Sequence, residues 1–223
     1  MNDKAIRIFP LGDTALTVEF GNAISPELNR KAIALAESIE RRPFPGLVET
    51  VPAYATTTVF YDLREVRRSF SDYPTAFEAV KFFVSNLIAD PAGSPDIESQ
   101  IVEIPVLFDR GSEFDLGCVA EKHGLSVDEV IEIFQSKTYR VYMLGFLPGF
   151  SYMGEVDERI ATPRKQTPRT LVPKGSIGIA GRQTGIYSLA SPGGWQIIGR
   201  TELEMFTTNG VHPTYLQAGD EVR

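Results

Sequence analysis

Between Pro163 and Trp195 the sequence gathers side chains suited to holding a small anion. Arg164 and Arg169 each follow a proline, whose fixed φ limits the region the next side chain can reach. Arginine offers a planar fork of donors matched to a carboxylate or phosphate, and nearby glycines let backbone N–H groups approach the same anion. Gln183, Thr184 and Tyr187 add neutral hydrogen-bonding groups, while Phe146, Phe150 and Trp195 add apolar walls. A few polar groups converging inside an aromatic enclosure is the composition of a small-molecule or peptide pocket. The candidate binding residues are therefore Phe146, Arg164, Arg169, Gln183, Thr184, Tyr187 and Trp195. No residue declares itself a catalyst.

From Arg159 to Thr201 there are seven Lys or Arg residues and no Asp or Glu, in a 223-residue chain of net charge −7. No carboxylate inside this window is on hand to neutralise the arginines, which favours an anion clamp over a merely cationic loop. The acidic balance of the whole argues against a nucleic-acid or anionic-membrane binder, since both attract net positive surfaces. A hydrophobic content of 43% with 23% charged residues is that of a soluble globular protein. The single cysteine, Cys118, excludes an intrachain disulfide and makes a reducing cytoplasm the expected compartment. No apolar leader opens the sequence, and no apolar run approaches the roughly 20 residues that span a bilayer.

Several familiar chemistries fail on spacing. The phosphate-loop pattern is absent, and Gly175, Gly178 and Gly181 do not match the dinucleotide fingerprint. Gly149-Phe150-Ser151-Tyr152-Met153 misses the nucleophile elbow at its last residue. The two histidines, His123 and His212, have no neighbouring cysteines, so no metal site is expected, and nothing in the spacing supports a triad through His212. Cys118, beside Leu116 and Val119, reads as buried packing.

The elements that must position the candidate residues follow from periodicity. Ala15–Phe20 alternates as a half-buried strand, and Ser25-Pro26 opens a helix with Leu28, Ala32, Leu35, Ala36 and Ile39 on one stripe. Residues 48–61 are extended and β-branched, and Asp72-Tyr73-Pro74 opens a second helix carrying Phe77, Val80, Phe83, Val84 and Leu87. Residues 90–96, rich in Pro, Gly and Ser, form the expected linker. Beyond it, Ile101–Phe108 alternates as a strand, a short helix runs from Leu116 to Lys122, and Ser126 with Glu129 fits a capping box ahead of Val130, Ile131, Ile133 and Phe134. After Tyr139, short apolar runs at 139–144, 177–180, 186–189, 196–198 and 215–216 are punctuated by Gly and Pro, the pattern of a β-barrel or sandwich.

The signature Leu144-Gly145-Phe146-Leu147-Pro148-Gly149-Phe150-Ser151-Tyr152-Met153-Gly154, with Pro163-Arg164, Thr167-Pro168-Arg169, Val172-Pro173, residues 175–181, Gln183-Thr184-Gly185-Ile186-Tyr187 and Ser191-Pro192-Gly193-Gly194-Trp195, resembles the family of 5-oxoprolinase B subunits. That family takes in allophanate hydrolase subunit 1 and sporulation kinase inhibitor members. Gly12-Asp13, residues 18–21, Val51-Pro52-Ala53-Tyr54 and Gly219-Asp220 extend the resemblance over essentially the whole chain. It implies an α+β N-terminal domain over 1–92 followed by a mainly-β cyclophilin-like barrel over 97–223. It further implies a hydrolase subunit that works with 5-oxoprolinase subunits C and A to open the lactam ring of 5-oxoproline to glutamate, with ATP used by the complex. Two alternatives come with it: an inhibitory partner of a sensor histidine kinase, and a component of a urea- or allophanate-degrading complex. A prolyl isomerase rests on fold analogy alone. The chain departs from the family at Phe134, where many members carry histidine; its place on the apolar face of a helix points to packing.

Overall fold

The computed structural model describes residues 6–90, 99–108, 111, 114–209 and 213–223; residues 91–96 of the expected linker and His212 lie outside them. The chain divides into two compact units, Met1–Glu98 and Ser99–Arg223. Among the described residues no helix is long and apolar enough to cross a membrane.

In the first unit, β1 (Arg7–Pro10), β2 (Ala15–Glu19), β3 (Leu47–Ala53) and β4 (Thr56–Tyr61) form an antiparallel sheet of order β1-β2-β4-β3. Helix α1 (Pro26–Arg41) begins with proline where a missing N–H costs nothing, and buries Ala32, Leu35, Ala36 and Ile39 as its stripe requires. Ser25 stands at its N-cap without making a side-chain cap bond. The 48–61 stretch is a hairpin rather than one strand, turning at Tyr54, whose φ is 52°. Helix α2 (Leu63–Ser69), too short to show a period, follows an Asp62 cap. The Phe-rich helix α3 (Ala76–Ala89) starts later than Asp72 because the Thr75 hydroxyl caps the Glu78 N–H at 3.1 Å. Val80, Val84 and Leu87 join Leu16, Val18 and Val59 in one core.

The second unit is built on an eight-stranded sheet of order β5-β14-β7-β8-β11-β10-β13-β6, formed by β5 (Ile101–Val102), β6 (Leu107–Phe108), β7 (Tyr139–Leu144), β8 (Ser151–Gly154), β10 (Ser176–Ala180), β11 (Gln183–Ile186), β13 (Gln196–Arg200) and β14 (Glu221–Val222). Its two edge strands are joined by only the four residues from Glu103 to Val106. Laid flat, eight strands would separate those edges by about 34 Å. The connection spans at most roughly 18 Å, so the sheet must curl. The alternation read over Ile101–Phe108 is thus two short strands at opposite edges, broken where Pro105 cannot donate to a ladder.

Helices α4 (Leu116–His123) and α5 (Val127–Gln135) pack on the inner face, where Leu116, Val119, Val130 and Phe134 meet Val141, Met153, Ile177, Ile186 and Ile198. The capping box of α5 is present, with Ser126 and Glu129 bonding reciprocally. Cys118 is exposed, contrary to expectation, because the helical period puts Leu116, Val119 and Ala120 inward and 118 outward. Strand β11 ends at Ile186, so 187–189 is loop, and 215–216 is a bend beside an isolated bridge between Phe206 and Thr214. The Gly/Pro-rich segments read as turns contain a separate two-stranded sheet, β9 (Arg169–Val172) with β12 (Ser191–Gly193).

Candidate small-molecule site

The other face of the curled sheet carries a second cluster, Phe150, Val172, Tyr187, Trp195 and Ile197. Phe150 is its hub, with ring centroids 5.1 Å from Tyr187 and 5.5 Å from Trp195, both edge to face. Such contacts add to area burial and fix ring orientation. The loop between β7 and β8 closes through Gly145 N–H to Phe150 O and Phe150 N–H to Leu147 O, and holds Phe146 at φ 68° with its ring exposed and 5.7 Å from that of Phe150. Gly193 lets the Tyr187 hydroxyl in, since a Cβ there would lie 2.3 Å from it.

A groove of about 240 Å³ opens over this cluster, walled by Phe146, Tyr152, Tyr187 and Trp195 and edged by Pro168 and Pro192. Arg164 stands at its rim, the guanidinium carbon 5.7 Å from the centre of the Trp195 ring. Among the described residues Arg164 makes no ion pair, and its stacking on indole leaves donors free for an anion. Burial raises the Tyr187 pKa, against the pull of the Trp195 backbone N–H and of Arg164 and Arg169, so its phenol stays protonated at neutral pH.

Five of the island's other cations are neutralised by carboxylates from outside its sequence window, while Arg200 is exposed and makes no ion pair among the described residues. Arg159 pairs with Asp157, Arg182 with Glu155 and Glu158, and Lys174 with Glu204. The deepest partner is Asp115, whose side chain is 3% exposed. It accepts two hydrogen bonds from Arg169, at 2.6 and 2.8 Å, one from Lys165 Nζ at 2.6 Å and one from the Ile197 N–H at 2.8 Å. Burial alone would raise the Asp115 pKa; the bonds from Arg169, Lys165 and Ile197 outweigh it and hold the carboxyl below its ordinary value.

The structure therefore gathers Phe146, Arg164, Tyr187 and Trp195 in one groove and sets the other candidates apart. Arg169 gives its fork to Asp115. Gln183 and Thr184 are consecutive on β11, and consecutive strand residues point to opposite faces. Thr184 is fully buried, donates to Gly178 O at 3.0 Å and lines a different, mainly apolar cavity of about 440 Å³ beside Phe134, Met153 and Ile186. Phe134 itself is packed between Phe108 and Tyr139, at 6.2 and 4.9 Å between ring centres. His123 ends α4 and faces the Thr162 hydroxyl at 3.0 Å. Among the described residues no group of three or more His, Cys, Asp or Glu could gather around a metal ion.

Residues 6–216 match the profile of the carboxyltransferase domain, subdomains C and D. The chain is 46% identical over 220 residues to the 5-oxoprolinase B subunit of Bacillus subtilis (strain 168), covering 97% of this chain and 91% of that protein. It is 35% identical over 218 residues to the 5-oxoprolinase B subunit of Haemophilus influenzae, covering 98% and 96%. The crystal structure of TTHA0988 superimposes with a TM-score of 0.79 at 38% identity over 98% of this chain, which spans 39% of that longer one. A profile match over most of the sequence, joined to close similarity along nearly its full length, shows that the chain belongs to the carboxyltransferase domain family of subdomains C and D, together with the B subunits of 5-oxoprolinase.

Proposed function

We propose that this chain is the B subunit of an ATP-dependent 5-oxoprolinase, working in the cytoplasm with subunits A and C to open 5-oxoproline to glutamate. The observation that carries the reading is the Arg164 guanidinium over Trp195 at the mouth of an aromatic groove, where a cation without an ion-pair partner among the described residues stands beside flat apolar walls. 5-Oxoproline is a small ring bearing one carboxylate. Arg164 pairs that carboxylate, Phe146 and Trp195 take the faces of the ring, and the protonated Tyr187 contributes a polar edge. On this reading the curled sheet and its covering helices are a cyclophilin-like barrel over 97–223, preceded by the α+β domain over 1–92.

The groove does not suit a nucleotide. At about 240 Å³ it is smaller than sites for drug-sized ligands, typically ~300–1,000 Å³. ATP is used by the complex and is not assigned to this groove, whose part on this reading is to bind and orient 5-oxoproline. An electrostatic hold of this kind lowers a barrier only when the partner completes the reacting centre. The test is reconstitution of the chain with subunits A and C, measuring ATP-dependent glutamate release. Release that needs this chain supports the reading; equal release from A and C alone defeats it.

A further inference from the structure

Arg164, Lys165 and Arg169 lie within six residues, and left alone they would repel one another and compete for a single ligand carboxylate. Their segment is instead fastened to the turn that carries Trp195. Lys165 N–H donates to Gly194 O at 2.7 Å, and Gln196 Nε2 donates to Pro163 O at 2.9 Å. Asp115 ties both sides together. Its carboxylate takes Lys165 and Arg169 from the Arg164 segment and the Ile197 N–H from the Trp195 strand, while its own N–H donates to Ile197 O at 2.7 Å. Asp115 also occupies the N-cap position of α4 yet makes no cap bond there. A carboxylate in that position ordinarily serves the helix; this one is turned wholly to the loop and strand.

We propose that Asp115 is the positioning residue of the groove: it withdraws Arg169 and Lys165 from the ligand and fixes Arg164 over Trp195. Asp115 touches no ligand itself and acts through Arg164. The ligand arm of this inference rests on the groove being the 5-oxoproline site; the positioning arm does not.

Trp195 is the chain's single tryptophan, so its fluorescence reports the Arg164 stack directly. Acrylamide quenching is compared in the full chain for wild type, Arg164→Ala, Asp115→Asn and the double variant. The expected result is at least a two-fold rise in the quenching constant for each single variant and no further rise in the double. In the assembled complex, Asp115→Asn raises KM for 5-oxoproline about ten-fold with kcat within two-fold, again without addition in the double. Unchanged quenching in Asp115→Asn, or additive effects in the double, overturns the proposal. If Asp115→Asn does not fold, Lys165→Met, which removes one partner from a part-exposed position, is read in the same way. Quenching that changes as expected while KM is unmoved in every variant, Arg164→Ala included, leaves the positioning role standing and removes the groove as the substrate site.

Discussion

Asp115 and Arg169, 54 positions apart, meet through two hydrogen bonds of 2.6 and 2.8 Å. This pair changes the meaning of the cationic island. Most of its positive charge is spent internally, and the cation left to the groove is Arg164.

The pair makes stability depend on pH in a defined direction. The Asp115 carboxyl is held below its ordinary 3.8, so its contribution is complete above that value and is lost as pH falls through the lowered folded-state pKa. Asp115→Asn is expected to cost about 3 kcal/mol at pH 7, the low end for breaking a buried pair because Lys165 and Arg169 keep some contact with solvent. Denaturant titrations of both proteins across pH 2–7 check this. The gap between them should shrink only at the acid end, and a gap independent of pH would contradict the assignment.

Gly193 should not accept a side chain. A Cβ would meet the Tyr187 hydroxyl at 2.3 Å and its ring carbons at 2.8 and 2.9 Å, and Tyr187 is packed with Phe150 and Trp195. Gly193→Ala is expected to lower stability by roughly 1–3 kcal/mol, the usual cost of overpacking, and to raise KM because the groove wall shifts. Thermal melting and steady-state kinetics measure the two effects.

Phe134 is a packing residue. Its ring fills the space between Phe108 and Tyr139, and Tyr139 Oη donates to its carbonyl at 2.8 Å. Phe134→Ala should cost about 3–5 kcal/mol and leave the KM of the folded fraction unchanged, as read by denaturation and by activity per active site. A Phe134→Ala protein of normal stability and altered KM would return the position to the chemistry.

Local signals in the sequence anticipated local structure. The α1 stripe, the α5 capping box, the alternation over β2 and the apolar run of β7 each concern neighbours close in sequence. The aromatic walls were legible too, since Phe146, Phe150, Tyr187 and Trp195 come with the glycines and prolines that let rings converge. Asp115 was not, because an ion pair between residues 54 apart leaves no periodic trace. The only local mark was an acid directly before an apolar helix, which reads as a cap. Strands β9 and β12 were hidden by Pro192 and Gly193, residues that usually signal a turn, at a pairing with an irregular register. Gln183 and Thr184 are adjacent on a strand and so turn to opposite faces, a separation that the strand period carries.

The most direct test of the account is the KM for 5-oxoproline of the assembled complex carrying Arg164→Ala beside the wild type, with kcat measured in the same titrations. Loss of a charge-assisted hydrogen bond worth about 1.5–3 kcal/mol corresponds to an increase in KM of roughly 10- to 150-fold, with kcat altered much less. An Arg164→Ala complex whose KM stays within two-fold of wild type would show that the groove over Trp195 is not where the substrate carboxylate is held.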